Sequence, residues 1–243
     1  MKQVFDYNAK ICSKWLCRFP SFLTSMMSFC VRNMHRICVQ VGLPLAILLL
    51  LPQVAHAQLV ASQVVSGGVA SCAVMTNNTI QCWGDNLYDV LGYDSNEVFQ
   101  SLVPIAFPGV ADAQQLTLGS KHGCMIRSGG AVQCWGENSL GVFGNKSFFD
   151  SEGLSAVSPA PLQVDGIDGS SVNAKATDIS SADSTACAIV NGGVRCWGGN
   201  SADQLGNPDS DFFSPTPVQV DATWGTRKPV ALASMSGAFC MLA

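Results

Sequence analysis

The chain has 243 residues and a formal net charge of −4, with 13 Lys and Arg against 17 Asp and Glu. Six of the basic residues precede residue 58, so residues 58–243 hold 7 basic and 16 acidic side chains and a net charge of −9. Nucleic-acid-binding proteins take most of their affinity from clustered Lys and Arg, and we therefore expect no nucleic-acid partner.

Residues 1–57 have the composition of a secretory leader. A basic N-terminal region precedes an uncharged, mostly apolar run at Val41–Leu51, and the small residues of Ala55–Ala57 follow it. This order predicts a signal peptide that is cleaved after Ala57. A start at Met34 would give that signal a more ordinary length of 24 residues.

A membrane anchor is the alternative interpretation of the same segment. The window from Ile37 to Ala55 has 19 residues and approaches the span of a bilayer, but prolines and glutamines interrupt it. We therefore predict a protein that is secreted, periplasmic or at the cell surface. It would touch a membrane only through an uncleaved leader.

Three segments of residues 58–243 repeat one pattern of cysteine, tryptophan, glycine and asparagine. In each copy a second cysteine follows the first after nine or ten residues and opens a Cys-Trp-Gly-x-Asn run. The first cysteines, with Cys240 opening a fourth copy, recur at intervals of 52, 63 and 53 residues. A period of this size is typical of propeller blades and solenoid units. Short β-rich runs separated by Gly, Pro, Asn and Asp predict all-β structure.

The Cys-Trp-Gly-x-Asn run, the glycine that closes the next turn and a downstream Pro-x-x-Val strand resemble the regulator of chromosome condensation repeat. The resemblance covers the chain from about Val64 to the C-terminus, and it implies four-stranded blades, usually seven to a ring. Residues 58–243 hold three repeats and the opening of a fourth. We therefore predict an open, partial β-propeller of about three and a half blades, truncated at its C-terminus.

Two departures from the family pattern are visible. Phe107 stands where the other copies have Val164 and Val220, and Asp89 and Asp203 stand where the second copy keeps glycine. Because Asp tolerates left-handed backbone geometry better than most residues, we expect the turn to survive.

The third repeat fixes the register of its hairpin. Cys187 and Cys196 are equidistant from Asn191-Gly192, the strongest two-residue hairpin signal. Opposite pairs alternate between hydrogen-bonded and non-bonded, which makes the cysteines a non-bonded pair with Cα atoms about 4.5 Å apart. That separation permits a disulfide. The other two copies are centred on Asn77 and Gly129, which suits a three-residue loop with a left-handed position.

We therefore predict three hairpin disulfides and an unpaired Cys240. The predicted pairs are Cys72–Cys82, Cys124–Cys134 and Cys187–Cys196. Zinc is the alternative, but its cysteine ligands usually lie about two to four residues apart, and no histidine accompanies each pair. No Cys-x-x-Cys motif points to redox catalysis, and we expect no metal and no cofactor.

Other residues carry weaker signals. Trp83, Trp135 and Trp197 recur at one position in each repeat, which predicts packing within or between sheets. His122 is predicted to be a hydrogen-bonded core residue, because no Ser-His-Asp or Cys-His arrangement can be built around it. The run Pro208–Asp211 is interpreted as a solvated turn rather than a weak calcium loop. Two sequons, at Asn77 and Asn145, match the glycosylation pattern.

The resulting hypothesis is a non-enzymatic, extracytoplasmic scaffold that binds an unknown protein through its inter-strand loops. Three long candidate loops carry aromatic residues, which are enriched in interfaces: Phe99, Phe148, Phe149, Phe212 and Phe213. Some secreted propellers similar to this one inhibit extracellular enzymes.

Two other functions are alternatives. The family's founding member is a nucleotide-exchange and chromatin regulator, but the leader, the paired cysteines and the acidic charge disfavour that function here. A propeller lyase or hydrolase is disfavoured because no carboxylate or histidine cluster converges in the sequence.

Overall fold

The computed structural model describes residues 59–149, 156–222 and 227–243. The predicted leader, its cleavage site and the alternative start at Met34 lie outside these residues. In the described ranges there is no helix of sufficient length and apolarity to cross a membrane. Inter-residue contacts divide the chain after Ala57, and the description below concerns the unit Gln58–Ala243.

The described residues form fourteen β-strands and three short 3-10 turns. The strands are β1 (Ala61–Ser66), β2 (Ala70–Met75), β3 (Ile80–Asp85), β4 (Gln100–Ala106), β5 (Ala113–Leu118), β6 (His122–Arg127), β7 (Val132–Glu137), β8 (Val157–Gln163), β9 (Ala176–Ala182), β10 (Thr185–Val190), β11 (Gly193–Gly199), β12 (Phe213–Gln219), β13 (Ala231–Met235) and β14 (Ala238–Leu242). The 3-10 turns are Ser139–Gly141, Lys146–Phe148 and Val172–Ala174.

These strands assemble into three complete blades and half of a fourth. Strands β1 to β4, β5 to β8 and β9 to β12 each form an antiparallel four-stranded sheet in chain order, and β13 pairs with β14. We call these sheets blades 1 to 3 and half-blade 4. The predicted all-β, open propeller of about three and a half blades is confirmed.

The hairpin register of blade 3 is the one that the turn predicts. Cys187 lies opposite Cys196, and Val190 lies opposite Gly193 beside the turn. The turn residues Asn191 and Gly192 have φ angles of 51° and 72°, as a type I′ turn requires. In blade 1 the left-handed residue of the three-residue loop is Asn78, with a φ of 62°.

Each hairpin is closed by a disulfide between its two strands. The pairs are Cys72–Cys82, Cys124–Cys134 and Cys187–Cys196, with Cα separations of 4.1, 4.1 and 4.0 Å. All six cysteines are buried, whereas Cys240 is a free, exposed thiol. The predicted pairing is present in all three blades.

The glycine after each tryptophan occupies a backbone position that other residues adopt at a cost. Gly84, Gly136 and Gly198 have φ angles of 117°, 100° and 95°, and each lies where the ladder to the outer strand shifts its register. A Cβ at Gly136 would lie 2.6 Å from the carbonyl oxygen of Lys121. The Trp-Gly pair of the motif is thus explained by a bulge that brings two strands close together.

Tryptophans join neighbouring blades. The Trp135 Nε1–H donates to the carbonyl oxygen of Val90 at 2.9 Å, and the Trp197 Nε1–H donates to that of Val142 at 2.8 Å. Both acceptors belong to the preceding blade, and both rings are fully buried. The Phe107 ring meets the Trp135 ring edge to face at 4.9 Å, so the larger side chain is accommodated. The packing role predicted for the tryptophans is thus observed between blades for Trp135 and Trp197, while Trp83 is half-buried.

Polar side chains of the innermost strands also link the blades. The Gln63 carboxamide donates to the Leu116 carbonyl and accepts from the Leu116 N–H. The Asp178 carboxylate accepts from the Gln115 side chain and from the Leu232 N–H. These bonds satisfy inner-strand groups across three successive blade junctions.

Candidate protein-binding face

The topology sorts the connections of the propeller onto two ends. In an antiparallel blade, the turn between the first two strands and the connection between the last two lie at one end. We call this end the loop face, since the long connections β3–β4, β7–β8 and β11–β12 leave their strands and return to them here. The opposite end, with the disulfide hairpins and the blade-to-blade linkers, is the hairpin face.

A buried asparagine holds the base of each long connection. The Oδ1 atoms of Asn86, Asn138 and Asn200 accept from the backbone N–H five residues later, at 2.7, 2.8 and 3.0 Å. Their Nδ2 groups donate to carbonyls on the returning part of the same connection. The asparagine of the Cys-Trp-Gly-x-Asn motif therefore fixes where each connection leaves and re-enters the blade.

The turn glycine and its substitutes adopt the expected left-handed geometry. Gly141 has a φ of 77°, and Asp89 and Asp203 have φ angles of 58° and 55°. The Asp89 side chain is buried and accepts from the Ser95 N–H at 2.8 Å. The prediction that aspartate preserves this turn is confirmed.

All five candidate interface phenylalanines lie at the loop-face ends of their connections. The carbonyls of Phe99 and Phe212 bond to the N–H groups of Asn86 and Asn200, so the two phenylalanines occupy equivalent positions in blades 1 and 3. Their side chains are 59% and 63% exposed.

The remaining phenylalanines gather at the junction of blades 2 and 3. The rings of Phe149 and Phe213 lie 5.1 Å apart. Phe148 beside them is 45% exposed. Four of the predicted aromatic residues, Phe148, Phe149, Phe212 and Phe213, therefore lie near the junction of blades 2 and 3. Phe99 lies apart from them, on blade 1.

A depression occupies the centre of the loop face. It has a volume of about 440 Å³ and lies where the first turns of four successive sheets converge. Its wall includes Ser66, Gly67, Gly119, Ser120, Asp183 and Ser236. Backbone bonds from Gly68 to Gly119 and from Ser120 to Asp183 link these turns around the centre. The depression is a feature that spacing in the sequence did not reveal.

Charge is unevenly divided between the two faces. Within the described residues, the turns and connection ends of the loop face carry one basic side chain, Lys121, and seven acidic ones: Asp85, Asp89, Glu97, Glu137, Asp183, Asp203 and Asp211. The hairpin face carries six basic side chains, Arg127, Lys146, Lys175, Arg195, Arg227 and Lys228, against six acidic ones, Asp94, Asp112, Asp165, Asp168, Asp209 and Asp221. The loop face is therefore acidic, and the hairpin face is close to neutral.

The single lysine of the loop face is already engaged. Lys121 Nζ lies 3.0 Å from a Glu137 carboxylate oxygen and 4.5 Å from the centre of the Tyr88 ring. The bond to Glu137 raises the pKa of Lys121 above its ordinary value. These contacts join blades 1 and 2 and neutralise one of the carboxylates.

His122 is buried, but its expected hydrogen bonding is not observed. The ring is 1% exposed and packs under the β5–β6 turn beside Gly119. Among the described residues, none forms a hydrogen bond with His122 Nε2. Burial lowers the pKa of His122 from 6.5 to about 4, so the imidazole is neutral at ordinary pH. The prediction that His122 is a core residue is confirmed. The hydrogen bond that was expected for its ring is not formed at Nε2.

The other candidate side chains are dispersed. Across residues 59–149, 156–222 and 227–243, no three His, Cys, Asp or Glu side chains converge in a way that could hold a metal ion. Asp209 lies towards the hairpin face beside Asp221, while Asp211 lies on the loop face. The sequon residue Asn77 sits at an exposed hairpin, whereas the Asn145 Nδ2 donates to the Gln163 carbonyl at 2.8 Å.

Residues 113–142 match the sequence profile of the regulator of chromosome condensation (RCC1) repeat. This range is the first three strands of blade 2 and the turn that follows them, and blades 1 and 3 repeat its strand order, disulfide and asparagine contacts. Residues 113–142 thus resemble an RCC1 repeat, and blades 1 and 3 share the architecture of that segment.

Solved propellers share the fold. A chain of the complex of Kap60 with yeast RCC1 (Prp20) superposes with a TM-score of 0.61 at 17% identity, covering 74% of this chain and 41% of that one. Human WBSCR16 superposes with a TM-score of 0.62 at 23% identity, and the match covers 77% of this chain and 45% of that one. Prp20p from Saccharomyces cerevisiae, described with its binding properties to Gsp1p and histones, gives 0.54 at 16% identity, covering 67% and 39%.

The chain thus spans less than half of the length of these structures. At such identities the likeness concerns the fold. Kap60, Gsp1p and histones are partners of yeast RCC1 (Prp20).

Proposed function

We propose that this chain is a non-enzymatic, extracytoplasmic protein-binding propeller whose loop face is the binding surface. One observation carries the proposal. In each blade a buried asparagine anchors a long connection, and two of the three connections present an exposed phenylalanine at the same position, Phe99 and Phe212. Rigid frames that carry variable loops are typical of binding proteins, and aromatic side chains are enriched in interfaces.

A location outside the cytoplasm is supported by features of both the sequence and the structure. The leader ends in Ala55–Ala57 and predicts export. The three hairpin disulfides are compatible with an oxidising compartment. If the leader is cleaved, mass spectrometry of the mature protein should find an N-terminus at or near Gln58. Recovery of an intact Val41–Leu51 segment from membranes would contradict cleavage.

A binding role without catalysis is supported by the environment of the titratable side chains. His122 is enclosed in the core as a neutral ring, where no substrate can reach it. The loop-face carboxylates are spread over several turns rather than gathered around a reacting position. The acidic loop face also offers no basic surface for nucleic acid.

The proposal is tested with variants of the exposed phenylalanines. The full chain is immobilised and challenged with the native extracytoplasmic fraction of its source, alongside the double variant Phe99→Ala/Phe212→Ala. A matched control removes two exposed apolar side chains of the linkers at the hairpin face, Val172→Ala/Val230→Ala. We expect the double variant alone to lose a partner that the parent retains. Equal retention by all three proteins would contradict a loop-face binding role.

A further inference from the structure

We infer that the partner of the loop face is a cationic protein, and that the central depression receives one of its Lys or Arg side chains with Asp183 as the counter-ion. This inference rests on the proposed binding function and adds the chemistry of the partner. Three independent features of the face point to it: its charge, its central depression and its exposed aromatic rings.

Charge provides the first argument. Over the described residues the loop face has an excess of six negative charges, whereas the hairpin face carries as many bases as acids. Asp183, Asp203 and Asp211 are exposed there, and no basic side chain among the described residues forms an ion pair with them. A surface of one sign attracts and orients a partner of the opposite sign before contact.

The central depression provides the second argument. Asp183 stands in its wall with a left-handed φ of 47°, and the hydroxyl of Ser236 donates to one carboxylate oxygen at 3.0 Å. That bond holds the carboxylate in place and leaves its other oxygen available. A depression of about 440 Å³ is large enough for the end of a Lys or Arg side chain, and a fixed carboxylate suits the planar guanidinium of Arg.

The aromatic rings provide the third argument. Phe99 and Phe212 expose most of their side chains on the same end of the propeller, where the outer strands of blades 1 and 3 begin. Aromatic faces attract cations as well as apolar groups, and Lys121 over the Tyr88 ring shows that contact within this face. An acidic centre with an aromatic rim therefore favours a partner that combines basic and apolar side chains.

The test uses a phage-displayed library of random twelve-residue peptides as the probe against the immobilised full chain. Peptides that are enriched are synthesised, and their affinities are measured by fluorescence anisotropy. The loop-face variant is Asp183→Asn/Asp203→Asn/Asp211→Asn. The matched control, Asp165→Asn/Asp168→Asn/Asp221→Asn, removes the same charge from exposed positions of the hairpin face.

We expect enriched peptides with a net positive charge whose affinity falls roughly tenfold in the loop-face variant and changes little in the control. Their binding should also weaken as salt is added, because exposed charges are screened. Asp183→Asn alone should account for the largest single loss.

Two outcomes separate the inference from the proposed function beneath it. Neutral or acidic peptides that still lose affinity in Phe99→Ala/Phe212→Ala would overturn the cationic partner and leave the binding face intact. Equal losses in both charge variants would overturn it too, since net charge alone would then explain binding. If no peptide is enriched, or if enriched peptides ignore every loop-face substitution, the proposed function and the inference fail together.

Discussion

Trp135 and Trp197 show how one side chain can join two blades. Each ring is fully buried, and each indole N–H finds a backbone carbonyl of the preceding blade. Burial of an aromatic ring contributes most when its polar atom is also satisfied. Trp83 occupies the same position in blade 1 but is only half-buried. The effect of burying the ring can therefore be measured by comparing Trp83 with Trp135.

Replacement of Trp135 by Ala should therefore lower the free energy of unfolding by about 3–5 kcal/mol, as for other buried aromatics. Trp83→Ala should cost clearly less, because less of its ring is removed from water. Urea denaturation followed by circular dichroism measures both values. Equal losses at the two positions would mean that inter-blade burial is not what the tryptophan supplies.

His122 makes stability depend on pH. Its pKa is about 4 in the folded protein against an ordinary 6.5, so the unfolded chain binds a proton more readily than the folded one. This contribution to stability is complete above pH 6.5 and is lost as the pH falls towards 4. A difference of this size corresponds to about 3 kcal/mol.

The variant His122→Asn removes the titrating group and should flatten that part of the profile. Free energies of unfolding measured between pH 7 and pH 4 would be compared for the two proteins. The parent should lose more stability than the variant across this interval. Parallel curves would show that the histidine is protonated equally in both states.

At this scale the sequence predicted local geometry better than contacts. The left-handed aspartates at Asp89 and Asp203 followed from what their backbone position demands. The unsatisfied nitrogen of His122 did not, because a missing hydrogen-bond partner depends on which atoms the fold places nearby.

Among the elements, the hairpins are the most strongly specified. The turn residues Asn191-Gly192 fix which residues face each other, and the cysteines fall at opposed positions as a consequence. A disulfide that closes such a loop lowers the conformational entropy of the unfolded chain and so stabilises the folded one. Each blade therefore carries its own local constraint.

Loss of one such bond should destabilise the protein by about 2–3 kcal/mol. The double variant Cys187→Ser/Cys196→Ser removes the bond of blade 3, and Cys240→Ser is the matched control at an exposed thiol. Thermal unfolding should be shifted by the first and unchanged by the second. Non-reducing peptide maps that joined cysteines of different blades would contradict the register itself.

The hydrogen bonds between blades could not be predicted from the sequence. Gln63 bonds to the backbone of Leu116, 53 residues away, and no local sequence pattern near either residue indicates the contact. The same holds for Asp178 and Leu232. Such bonds follow from the curvature of the propeller, which places equivalent positions of successive inner strands side by side.

On the scale of the whole molecule, the two ends of the propeller differ in chemistry. The disulfides and tight turns stabilise the hairpin face, whereas the long connections, the exposed phenylalanines and most loop carboxylates belong to the loop face. The sequence predicted the aromatic loops. The acidic character of the loop face became visible only when the strands were arranged, since its carboxylates come from all three complete blades.

In the proposed function, the loop face and not the hairpin face contacts a protein partner. Photo-crosslinking with p-benzoylphenylalanine tests it most directly, with the reactive residue placed at Phe212 in one protein and at the exposed hairpin residue Asn191 in another. In the native extracytoplasmic fraction, we expect a discrete crosslinked product from position 212 and none from position 191. A product from position 191 alone would contradict it.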